Sequence, residues 1–156
     1  MTGQEEPVSL FELLAENEEL ISSLYEAYAG RFPEHSAFWS RLAGEEREHA
    51  AWLRDLGGKV KEGALYVNED RFKREPIRLF RDYIQGELDT AQGDEEILLS
   101  YALSVALSTE QALLERRFFE VFEADSVEMK HVLQDLSRAT DEHVGRVRAE
   151  WSKHRR

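Results

Sequence analysis

The chain contains no cysteine. A disulfide framework, a thiolate zinc site and a cysteine-ligated iron–sulfur cluster are therefore excluded, and any metal site must be built from oxygen and imidazole donors. Basic residues are also scarce. Lys and Arg number 20 against 32 Asp and Glu, and the net charge of −12 repels nucleic-acid phosphates and anionic membranes while concentrating cations. No apolar run reaches the roughly 18 residues that a membrane-crossing helix needs. Only three Pro and nine Gly interrupt the 156 residues, and no stretch alternates apolar and polar residues in the manner of a half-buried strand. The opening Met1-Thr2-Gly3-Gln4-Glu5-Glu6-Pro7 lacks the basic and apolar segments of an export signal, so an unexported, cytoplasmic protein is expected.

What the chain has instead is apolar residues at helical spacing. A hydrophobic content of 42% with 33% charged residues suits a single domain over 1–156, made of helices with wet outer faces. Ser9-Leu10-Phe11-Glu12 reads as a capping box that opens a helix over about 10–30, with Gly30 as a left-handed cap. Pro33 fits the first turn of a second helix over about 33–56, which Gly57-Gly58 would stop. The joint between them is short, so the two must lie antiparallel. Residues 59–93 form a long connection with the apolar patch Ala64-Leu65-Tyr66-Val67 and a helix from Pro76 through Ile77, Phe80, Tyr83, Ile84 and Leu88. A third long helix is expected over about 94–123. A fourth, opened by the box Asp125-Ser126-Val127-Glu128, is expected over about 126–153. The basic end Lys153-His154-Arg155-Arg156 complements the negative pole of that last helix. The expected fold class is all-α: a four-helix bundle of two antiparallel hairpins with a long crossover containing an extra helix.

Acidic and imidazole side chains interrupt the apolar stripes. Trp39, Leu42, Glu46, His49, Leu53 and Leu56 share one face of the second helix, so Glu46 and His49 form a Glu-x-x-His pair pointing into the core. Glu18 lies on the stripe Leu14, Glu18, Ile21, Tyr25, Tyr28, and Glu110 on Leu103, Ala106, Glu110, Leu113, Leu114. His143 lies on Val132, Leu136, Thr140, His143, Val147. His49 follows Glu18 by 31 residues and His143 follows Glu110 by 33, so the two hairpins share one plan. A buried carboxylate costs several kcal/mol unless a charge, a hydrogen-bond network or a metal compensates it.

This arrangement resembles the ferritin-like superfamily, in particular its rubrerythrin-like branch. The family pattern takes one Glu from each of two helices and a Glu-x-x-His from each of the other two around a pair of iron or manganese ions. The resemblance covers about residues 10–150, and the matching residues are Glu18, Glu46, His49, Glu110 and His143. It implies two iron ions, or a single ion, or manganese, used to oxidise ferrous iron or to reduce peroxide. Tyr25, one heptad after Glu18, stands where such bundles often place an aromatic residue beside the metals. Longer rubrerythrins carry a four-cysteine iron domain; its absence here implies an external electron donor for any redox turnover.

Two positions depart from the pattern. Thr140 replaces the second-half Glu three residues before His143, and Arg117 stands one heptad after Glu110 where Tyr25 follows Glu18. Glu142, about 100° around the helix from His143, offers a substitute ligand. The alternative reading is a bundle whose metal site has degraded, acting as a non-catalytic binding or scaffold protein. In that reading Glu110 pairs with Arg116 or Arg117, and His143 is a hydrogen-bonded core histidine. His35, His131 and His154 read as surface residues, as do Glu45, Arg47 and Glu48 around Glu46. Phe118, Phe119 and Phe122 belong to the core or to the seam of a homodimer.

Overall fold

The computed structural model describes residues 9–63, 73–115 and 127–154, and among these every regular element is helical. Helix α1 (Leu10–Arg31) opens at Ser9, whose Oγ accepts the Glu12 backbone N–H at 3.3 Å, as the capping box predicts. Gly30 is not its cap. The helix runs on to Arg31 and closes at Phe32, whose N–H donates to the Tyr28 carbonyl, while the left-handed glycine is Gly63 at φ 81°. A single 3₁₀ turn over Pro33–His35 reverses the chain into helix α2 (Ser36–Lys61).

Gly57-Gly58 does not stop α2, which continues to Lys61. A Cβ built on Gly57 would stand 2.9 Å from Phe11 Cβ, so this glycine serves close packing against α1 and not termination. The start of α1 meets the later part of α2 at Glu12 and Arg54, and Ser22 meets α2 earlier, at Ala43, as antiparallel packing requires. Ser22 Oγ donates to the Ala43 carbonyl at 2.8 Å, Arg47 pairs with Glu26, and Arg54 reaches Glu12 at 2.9 Å and also Glu19. These ion pairs are half-exposed and contribute less to stability than to register.

Helix α3 (Arg74–Gln92) begins two residues before Pro76, which is still in the first turn, where a missing N–H costs nothing. Its stripe Ile77, Phe80, Ile84, Leu88 and Ala91 is buried, and it lies along α1. Asn17 Nδ2 donates to the Ile77 carbonyl at 3.2 Å and Arg31 Nε to the Ala91 carbonyl at 2.8 Å. Helix α4 (Leu99–Glu115) starts later than residue 94, because Gly93 turns away in extended backbone after closing α3 with its N–H on Thr90. Helix α5 (Val127–Lys153) pairs with α4. The patch over 64–67, the cap at Asp125, and Arg116, Arg117, Phe118, Phe119 and Phe122 lie outside the described residues, as do the side chains of Leu113, Leu114, Val132, Leu136 and Thr140. Among the described residues no helix is long and apolar enough to cross a membrane.

The apolar interior has two parts. One joins Ile21, Leu24, Tyr25, Tyr28, Trp39, Leu42 and Ala43 to α3, to Leu103 and Ala106 of α4 and to Val147 of α5. The other joins Leu10 to Ala15 of α1 with Ala50, Leu53 and Leu56 of α2 and Ile77 of α3. Each fully buried large side chain contributes roughly 1.5–3 kcal/mol. On α1 and α2 the boundary between the two parts falls at Glu18 and at Glu46 to His49.

The glycine pair gives a direct test of α2 packing. Gly58→Ala meets open space and should stabilise the chain by roughly 0.5–1 kcal/mol through helix propensity. Gly57→Ala must displace Phe11 and should destabilise it by up to about 2 kcal/mol after that same gain is subtracted. Urea unfolding of the two variants decides the matter, and equal shifts of the same sign would show that the close approach to Phe11 is not limiting.

Candidate metal centre

Helical spacing turns Glu46 and His49 of α2, Glu110 of α4 and His143 of α5 into the interior, with relative exposures of 0%, 5%, 0% and 1%. His143 Nδ1 lies 2.8 Å from Glu46 Oε1 and 3.7 Å from Glu110 Oε1, and His49 Nδ1 lies 3.5 Å from Glu46 Oε2. The two imidazoles stack with centroids 4.9 Å apart and planes at 23°. Glu46, His49 and His143 each offer a donor atom within 4.8 Å of the others. Glu18 of α1 joins them: its residue keeps some exposed surface, but its Oε2 is enclosed and its carboxyl is close enough to those of Glu46 and Glu110 to feel their charge. Tyr25 donates its hydroxyl to Glu110 Oε1 at 2.8 Å, and its ring rests against Trp39.

Glu18, Glu46, His49, Glu110 and His143, brought from four helices, therefore meet in one dry layer. Glu142 does not join them, since it is exposed on α5. His131 is exposed too, whereas His35 and His154 pack edge-on against each other, their centroids 4.8 Å apart. Arg117 and the Thr140 side chain lie outside the described residues.

The structure adds a carboxylate that sequence reasoning assigned to the wet face. Glu45, its side chain 22% exposed, places Oε2 against His143 Nε2, and its Oε1 is held by Arg146 and by Arg41 at 3.2 Å. Arg146 follows His143 by three residues and shares its helix face, but no local pattern in the sequence ties either of them to Glu45. Both ring nitrogens of His143 face carboxylates, which favours the doubly protonated ring, since a neutral imidazole has only one N–H to donate.

Electrostatics agree with that assignment. Burial alone would lower the His143 pKa, but the nearby carboxyl groups of Glu110 and Glu46 prevail and lift it from 6.5 to about 10. Burial, then the charge of Glu46, raises Glu110 from 4.5 to about 8. Burial also pushes Glu18 well above the ordinary range, with Glu46 again adding to the shift. Glu46 itself is held well below that range: burial opposes this, and its interactions with Glu18, His143 and His49 overcome it. The metal-free layer thus balances its charge with an imidazolium and with protons on Glu18 and Glu110. Even so, Oε2 of Glu18, of Glu46 and of Glu110 are buried and accept no hydrogen bond among the described residues. Such orphaned acceptors are expensive, and a divalent cation is the group that satisfies several at once.

No family model matches the chain, and neither a curated protein nor a solved structure does.

The protons held in this layer make stability depend on pH. At Glu110 and His143 the folded pKa exceeds the unfolded one, so their contributions are complete below 4.5 and 6.5 and are lost as pH rises through about 8 and about 10. Glu46 has the opposite sign, but its window lies below 4.5. Metal-free protein should therefore melt at progressively lower temperature between about pH 6 and about pH 10, and Glu110→Gln should flatten the lower part of that slope. A melting temperature independent of pH across this range in the chelated protein would contradict the charge assignment.

Proposed function

We propose that the chain is a metal-binding bundle of the ferritin-like kind, similar to the rubrerythrin-like proteins, that oxidises ferrous iron or reduces peroxide. The observation that carries this reading is the set of three orphaned carboxylate oxygens beside two imidazoles in a layer closed to water. Glu18, Glu46, His49, Glu110 and His143 would hold iron or manganese, whose hardness suits carboxylate and imidazole donors. Such an ion supplies a divalent–trivalent redox couple and open positions for an oxygen-containing substrate.

The remaining residues orient that donor set. Tyr25 fixes Glu110 Oε1, and Glu110 Oε2 stays buried with no hydrogen-bond partner among the described residues. Glu45 sets its Oε2 against Nε2 of His143, and its charge favours a proton there, which leaves the Nδ1 lone pair toward Glu46 and Glu110 once the second proton has left. Arg146 and Arg41 hold Glu45 in that role. Trp52 tilts over His49 with its ring centroid 5.6 Å away. With no cysteine in the chain, electrons for repeated peroxide reduction come from an external donor.

A second reading has a specific observation in its favour. The His143 imidazolium already sits where a cation would, bonded to Glu46 and facing Glu45, so the bundle has a charge-balanced state that needs no metal. In that reading the chain is a non-catalytic scaffold or binding protein.

Anaerobic loading with ferrous iron separates the two. The metal-binding reading expects at least one ion per chain and, at about 100 times Kd, a melting temperature raised by roughly 5–10 °C. Glu46→Gln keeps the side-chain shape and should abolish both effects, together with oxygen- or peroxide-dependent turnover. Uptake below one ion per chain with no change in melting would overturn the metal reading in favour of the scaffold.

A further inference from the structure

His35 caps the start of α2, and α5 ends one residue before His154. His35 precedes Glu46 by 11 residues and His154 follows His143 by 11, so this end of the bundle lies about 16 Å along the helices from the central layer. Here His35, Glu150 and His154 each offer a donor atom, all within 4.8 Å of one another. We propose that these three residues form a second, surface metal site for an imidazole-preferring divalent ion of the zinc class, and that the bound ion fastens the end of α5 to the start of α2.

The local structure prepares the donors. Glu150 and His154 lie four residues apart on one face of the last turn, and Trp151 between them packs onto the apolar core and fixes that turn. His154 continues the helical path, its N–H donating to the Trp151 carbonyl at 3.2 Å. Lys153 holds Glu150 Oε1 at 3.1 Å, which leaves Oε2 turned to His154 Nε2 at 3.6 Å. Donors bound to one zinc at about 2.0–2.2 Å in tetrahedral geometry stand about 3.4 Å apart. Closing from 4.8 Å takes little more than an ångström, within reach of a His154 side chain that is 33% exposed. Two imidazoles and a carboxylate leave the fourth position to water. The carbonyl end of α5 and the overall charge of −12 both favour a cation, against the positive charges that Lys153, Arg155 and Arg156 place at the same end of the chain.

The test is a zinc titration of the full chain against a chromophoric competitor, comparing wild type with His154→Ala and His35→Ala. Wild type should take up one more zinc per chain than His154→Ala, and His35→Ala should weaken that ion by more than about tenfold. Glu46→Gln, altered only in the central layer, should keep the extra ion, and zinc should shift the imidazole NMR signals of His35 and His154 together in that variant. Equal zinc stoichiometry and affinity in wild type and His154→Ala would overturn the proposal. So would His35 and His154 signals that do not move when zinc is added to Glu46→Gln.

Discussion

Charge inside a dry interior is the constraint around which this molecule is built. Each carboxylate taken from water costs several kcal/mol, and the layer formed by Glu18, Glu46 and Glu110 asks the surrounding apolar packing to bear that cost three times. The two apolar clusters on either side supply the burial, while the imidazolium of His143 and the protons on Glu18 and Glu110 reduce the charge to be buried. Protons and a divalent cation are therefore competitors for the same oxygens and the same Nδ1, and occupancy of the layer is a question of pH as much as of ion concentration.

The helices and most of the layer were legible because a 3.6-residue period leaves little freedom. A residue three or four positions from Leu42 and Leu53 must share their face, and so Glu46 and His49 had to point inward. The same logic placed Glu18, Glu110 and His143. Boundaries were less legible, and Gly57 shows why. Glycine permits both a helix stop and a close approach, and only Phe11, 46 residues away in sequence, decides between them. Pro76 falls in the first turn of α3, near where it was expected. Pro33 instead opens a 3₁₀ turn of its own and α2 starts only at Ser36, because proline fits the first turn of either kind of helix.

Glu45 was missed for a different reason. Within α2 it belongs to a charged run and has Arg41 one turn away, the usual sign of a solvated pair. Its contact with His143 exists only because α5 docks at that height and brings Arg146 along. Partners contributed by a distant helix leave no trace in the local pattern. The same applies to His35 and His154, which read as separate surface residues until the fold sets one ring against the other.

Helix α3 is tied to α1 at two points, Asn17 to Ile77 and Arg31 to Ala91, and the offset between partners is 60 residues in both. The two helices are thus locked in phase over fourteen residues, about 21 Å of rise. This turns the connecting helix into a spacer of set length: one residue added or lost between Ile77 and Ala91 would break one tie and turn the rest of α3 by about 100° against α1. The non-helical link after Gly93 can absorb changes in length, so natural variation in this chain should collect there and spare the spacer.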